Sequence, residues 1–73
     1  MKLELKFKDL VEINGSIYQI NRVDRFGYFL NTNKNIKDIN NDIIVYRKDD
    51  NGNFIKIFKG KNPYYAEDYY GKQ

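Results

Sequence analysis

The chain has 73 residues, 41% of them hydrophobic and 16% aromatic, a formal net charge of +3, and no histidine, cysteine or tryptophan. That length makes one small domain without disulfides, stabilised by core packing, by a partner, or by both. Without imidazole or thiolate, Ser-His-Asp and Cys-His catalysis and the usual zinc sites are closed, leaving carboxylates, lysine and tyrosine at no diagnostic spacing.

At the N-terminus, Leu3, Leu5, Phe7, Val11 and Ile13 fall on odd positions and Lys2, Glu4, Lys6, Lys8 and Glu12 on even ones. This period of two is that of a half-buried strand, and the out-of-phase Asp9 and Leu10 predict a bulge or corner at Lys8-Asp9 between two strand segments. The same alternation leaves no continuous apolar run for a signal peptide or a membrane span. With no cysteine to suggest an oxidising compartment, the expected location is the cytoplasm of a bacterial host. Asn14-Gly15 suits a two-residue type I′ turn, in which both central residues take positive φ. Residues 16–23 then return as a strand with Tyr18 and Ile20 on one face, and the phase break at Val23 predicts a bulge near Asn21-Arg22. Residues 24–27 read as a second turn, and Tyr28-Phe29-Leu30 as a short strand that is apolar on both faces.

Residues 31–42 are rich in Asn and Asp, whose side chains compete with regular structure and favour turns. Ile36 and Ile39, three apart, predict one helical or 3₁₀ turn that pins this loop to the core. A solvated connection is the plainer expectation here and a binding loop the sharper one. Residues 43–48 and 54–59 flank Asp49-Asp50-Asn51-Gly52-Asn53 and predict a hairpin. With Asn51-Gly52 as a two-residue loop, Lys48 faces Ile55, Arg47 faces Lys56, Tyr46 faces Ile57 and Val45 faces Phe58. Arg47 opposite Lys56 is unfavourable, so either the register differs or that face is basic for a reason. Residues 59–63 end the sheet. Beyond them a short helix is expected, with Asn62 as N-cap and Pro63 at the first helical position.

Five strand segments joined by short turns predict an all-β domain over residues 1–62. The expected form is a small five-stranded SH3-like barrel or a highly twisted antiparallel sheet, with at most one short C-terminal helix. Residues 63–73 form a Tyr-rich tail docked on that domain or extending from it. The run Asp9-Leu10-Val11-Glu12-Ile13-Asn14-Gly15, followed by Tyr18, Val23, Gly27 and Leu30, resembles the opening of SH3-like barrels. In those, a D-x-V-x-x-x-G-x-x-Y run turns into the second strand. The resemblance covers about the first thirty residues and implies a fold without a function.

Two surfaces stand out. The hairpin residues Arg47, Lys48, Phe54, Lys56 and Phe58 interleave cations and rings, as single-stranded nucleic acid requires. The competing expectation is that Phe54 and Phe58 are simply core. In the tail, Tyr64, Tyr65, Tyr69 and Tyr70 surround Glu67-Asp68, and tyrosine is enriched at protein interfaces. All four are candidate partner contacts, and the competing expectation is that Tyr65 and Tyr69, four apart on a helix, close one end of the barrel; both roles can hold together. Asp9, Glu12 and Asp24 have no spacing that pairs carboxylates for catalysis, and the Asp49-Asp50-Asn51-Gly52 run lacks the alternating acidic ligands of a calcium loop. The expectation is a non-enzymatic protein without cofactor or metal that binds a host protein stoichiometrically. Nucleic acid is the second choice of partner, a structural role in a phage particle the third, and a homodimer through the tail a further arrangement. Heavy use of Lys, Asn, Ile, Tyr and Phe suits A/T-rich codons and hence a phage or plasmid origin, where an inhibitor in the manner of anti-CRISPR proteins is the economical version.

Overall fold

The computed structural model describes residues 4–65. It comprises β1 (Leu10–Ile13), β2 (Ser16–Asp24), β3 (Gly27–Leu30), a 3₁₀ turn (Ile36–Asp38), β4 (Asp42–Lys48) and β5 (Phe54–Lys61). The fold is all-β: one antiparallel sheet in the order β3-β2-β1-β4-β5. Of the two expected forms the open sheet is the one found, with β3 and β5 as its edges and no pairing that closes it into a barrel. Among the described residues no helix is long and apolar enough to cross a membrane. Residues 63–65 turn, and the expected C-terminal helix otherwise falls outside the described residues.

Asn14 and Gly15 take φ of 52° and 83°, so β1 and β2 are joined by the expected mirror-image turn and Ile13 pairs with Ser16. The alternation upstream of β1 does not continue as strand. Lys8 has φ of 77°, and the Asp9 N–H donates to the Lys6 carbonyl at 3.0 Å, which closes a turn at Phe7-Lys8. Leu5 still reaches the core, while Phe7 is left 57% exposed. The turn is held by a clamp. Arg47 Nε donates to Asp9 Oδ1 at 3.0 Å, and its Nη2 donates to Asp9 Oδ2 at 2.6 Å and to the Glu4 carbonyl at 2.7 Å. Asp9 is buried and also accepts the Lys6 N–H at 2.9 Å. A two-pronged guanidinium is the side chain best shaped to hold a buried carboxylate.

In β2, the register against β3 shifts between Ile20 and Arg22, the bulge expected at Asn21. The β4–β5 hairpin departs from expectation at its tip. Asp49 pairs with Asn53 through an N–H···O bond of 2.7 Å, and Gly52 has φ of 87°. The loop is therefore the three residues 50–52, capped by the Asp49 carboxylate, which accepts the N–H groups of Asn51 and Asn53 at 2.9 Å each. Lys48 accordingly faces Phe54, Arg47 faces Ile55 and Tyr46 faces Lys56. A bulge at Ile57 then restores Val45 opposite Phe58. Extra loop residue and bulge together spare Arg47 from facing Lys56.

Val11, Val45, Ile20, Leu30 and Ile43 are buried on the inner face of the sheet, with Tyr18, Ile57 and Phe58 packed partly against them. Among the described residues no second sheet covers that face. Ile36 and Ile39 of the 3₁₀ turn cover it, as expected, together with Leu5 and Tyr64. Two buried amides hold this lid. Asn35 Nδ2 donates to the Phe26 carbonyl at 2.9 Å while its Oδ1 accepts the Lys37 N–H at 3.1 Å. Asn62 Nδ2 donates to the carbonyls of Ile36 and Ile39 at 2.9 and 2.8 Å, and its Oδ1 accepts the Tyr64 N–H at 2.9 Å. Tyr64, just beyond this amide, is thereby held in the core.

Replacing Asn62 by Ala strands two buried carbonyls and one buried N–H, at about 1–3 kcal/mol per unsatisfied group before relaxation and water entry. Chemical denaturation is expected to show a loss of about 3 kcal/mol for Asn62→Ala, whereas Asn51→Ala, whose side chain is exposed, stays within about 0.5 kcal/mol of the parent.

Candidate functional site

Register assigns every strand residue to one face of the sheet. On the outer face, one row crosses Ile17 on β2, Glu12 on β1, Ile44 on β4 and Lys59 on β5. The next crosses Gln19, Leu10, Tyr46 and Lys56. Leu10, Glu12, Ile44 and Tyr46 are half-buried by their neighbours alone, and Ile17 is 58% exposed. Nothing among the described residues packs over them. The result is an apolar centre made of Leu10, Ile17, Ile44 and the Tyr46 ring, with the Glu12 carboxylate set among them.

Tyr46 Oη donates to Glu12 Oε1 at 3.0 Å. That bond, with the adjacent negative charge, raises the Tyr46 phenol above its ordinary 10.0, since ionisation would lose the bond and place two anions side by side. On the β5 side the rim is basic, with Lys48, Lys56 and Lys59 in no ion pair among the described residues. Lys48 Nζ lies 5.4 Å from the Phe54 ring centroid. On the β3 side, Arg22 stacks on Phe29 at 3.9 Å and pairs with Asp24 at 3.0 Å.

The structure divides the five hairpin residues singled out in the sequence. Lys48, Phe54 and Lys56 stand together on the outer face. Arg47 belongs instead to the Asp9 clamp, whose hydrogen bond and negative charge raise its already high pKa further. Phe58, opposite Val45, packs against the core. The bulge at Ile57 is the physical cause, because it breaks the alternation that put Phe54 and Phe58 on one face. In the tail, of the two tyrosines the structure describes, it is Tyr64 that is buried. Tyr64 is 3% exposed and meets Tyr28 edge-on at 5.1 Å, whereas Tyr65 is 47% exposed. The Asn62 cap turns the chain so that the residue two positions on points inward. Tyr69 and Tyr70 lie outside the described residues.

Sequence reasoning missed the centre of the outer face. The available signal was the run Ile43-Ile44-Val45-Tyr46, which is apolar at consecutive positions and so presents apolar groups on both sides of a central strand. No protein-family model, no curated protein and no solved structure matches this chain.

The raised phenol has a consequence at alkaline pH. A group whose folded pKa exceeds its unfolded value contributes fully below the unfolded value and loses that contribution as pH rises through the folded one. Stability is therefore expected to fall as pH climbs above about 10. Tyr46→Phe, which cannot ionise, should flatten that fall and remove a late component from the tyrosinate absorbance titration.

Proposed function

We propose that the protein is a non-enzymatic binding protein that docks on another protein through the outer face of its sheet. The observation that carries this reading is the layout of that face: an apolar centre of Leu10, Ile17, Ile44 and Tyr46 inside a rim of charged and amide side chains. An apolar, well-packed centre ringed by polar groups is the anatomy of protein interfaces, and tyrosine is a preferred anchor in them. The unpaired Lys48, Lys56 and Lys59 favour an acidic partner and faster encounter with it. In its most economical form this is a phage- or plasmid-encoded inhibitor that occupies a host protein in the bacterial cytoplasm, as anti-CRISPR proteins do. The residue usage typical of A/T-rich genes and the lack of imidazole and thiolate support that form. Tyr65, with Tyr69 and Tyr70, supplies a second contact area in the same reading.

Lys48 beside Phe54, with Lys56 and Lys59 along the same edge, favours single-stranded nucleic acid as the second reading.

Affinity capture from bacterial lysate, with and without nuclease, separates the two. Ile17→Lys removes an anchor and puts a cation opposite Glu12, which spares the ladder. A nuclease-resistant protein partner is expected, its affinity lowered by about 2 kcal/mol in Ile17→Lys. Captured material that vanishes with nuclease, and whose binding falls steeply with salt and in the Lys48→Ala/Lys56→Ala pair, would establish nucleic acid instead. A protein partner retained at full strength by Ile17→Lys but lost in Tyr65→Ala/Tyr70→Ala would move the interface to the tail.

A further inference from the structure

At the end of the sheet away from the Asp9 clamp, a groove of about 480 Å³ opens between β1–β3 and the Asn-rich loop. That volume lies within the range of small-ligand clefts. Its apolar wall is Ile13, Leu30 and Ile39, with the half-buried Tyr18 ring beside them. Its rim is Thr32, Lys34, Asp38, Asn40 and Asn41, all exposed. Several Asn and Asp side chains of this small domain are used by the fold itself. Asp9, Asp24, Asn35, Asp49 and Asn62 are each tied to backbone or to a partner by their side chains. The rim side chains make no hydrogen bond or ion pair among the described residues, and neither does the Tyr18 hydroxyl.

We infer that this groove binds a neutral saccharide. Lys34 and Asp38 cancel, so a phosphate-bearing ligand would meet an anion and a cationic one would meet an ammonium. What remains favourable is an uncharged ligand rich in groups that both donate and accept. The two Asn amides, the Thr32 and Tyr18 hydroxyls, the Asp38 acceptors and the Lys34 donors match vicinal sugar hydroxyls. The electron-rich face of Tyr18 and the aliphatic wall suit the C–H face of a pyranose ring. An extended peptide is the other neutral ligand with donors and acceptors, and its usual mode is to add to a strand edge. Here that edge is taken: the Leu30 N–H donates to the Lys34 carbonyl at 2.9 Å, and Phe29 bridges Asn35. The site is separate from the outer face and does not depend on the proposed protein interface.

Backbone amide NMR titrations with maltotriose, cellotriose and triacetylchitotriose test it. At least one sugar should bind in the millimolar range, with shifts confined to Ile13, Tyr18 and residues 30–41. Asp38→Ala/Asn40→Ala should weaken binding about tenfold or more, and Thr32→Val less, with the rest of the spectrum unchanged. Lys59→Ala, on the outer face, should leave sugar binding untouched. The proposal is overturned if none of the three sugars shifts those residues or if the double variant retains the parent affinity. Tighter occupation of the groove by adenosine monophosphate or N-acetyl-leucine methylamide would assign it to a nucleotide or a peptide.

Discussion

Two buried carboxamides, on Asn35 and Asn62, set the shape of this molecule. A five-stranded sheet has two faces, and a chain of this size cannot build a second layer over both. The inner face is sealed by a few side chains on an irregular segment, chiefly Ile36, Ile39 and Tyr64. Irregular backbone brings carbonyls and N–H groups inside without strand partners. The amides answer them, Asn62 reaching two carbonyls and one N–H at once. Where the lid ends, the groove beneath the Asn-rich loop begins. On the other side of the sheet, where no described residue forms a lid, lies the outer face.

The cations divide along chemical lines. All three arginines lie against other groups of the fold: Arg47 on Asp9, Arg22 on both Asp24 and Phe29, and Arg25 on the Phe26 ring at 5.2 Å. Planar, weakly hydrated guanidinium suits such contacts. The lysines of β5 carry compact, strongly hydrated charges and stay in solvent. They also guard the long edge strand against pairing with other strands, a role compatible with contact to a partner.

Much of the architecture was legible because it is encoded locally. The Asn14-Gly15 turn, the Asn21 bulge and the covering turn at Ile36 and Ile39 each follow from a few adjacent residues. The N-terminal strand was over-extended because alternation at Leu3, Leu5 and Phe7 says nothing about Arg47, distant in sequence, whose grip on Asp9 and Glu4 bends the segment. The hairpin tip was misjudged because Asn51-Gly52 fits a two-residue loop as well as the end of a three-residue one, and the Asp49 cap decides between them. The burial of Tyr64 was not foreseen because a helical period was assumed where Asn62 makes a tight turn. For the same reason the candidate surface was only half visible: Lys48, Phe54 and Lys56 were identified, but their union with Tyr46 and Ile44 depends on register across three strands.

The coupling between loop 50–52 and the Ile57 bulge has a bearing on how such a protein diversifies. Tyr46 pairs with Lys56 and Val45 with Phe58, so losing Ile57 would give a regular ladder with Phe54 and Lys56 still outward and Phe58 still inward. A one-residue slip in pairing would instead set Lys56 on the inner face against Arg47, at a cost the present register avoids. Length can therefore vary at Ile57 without moving the outward side chains of β5, whereas a slip in register would exchange every one of them.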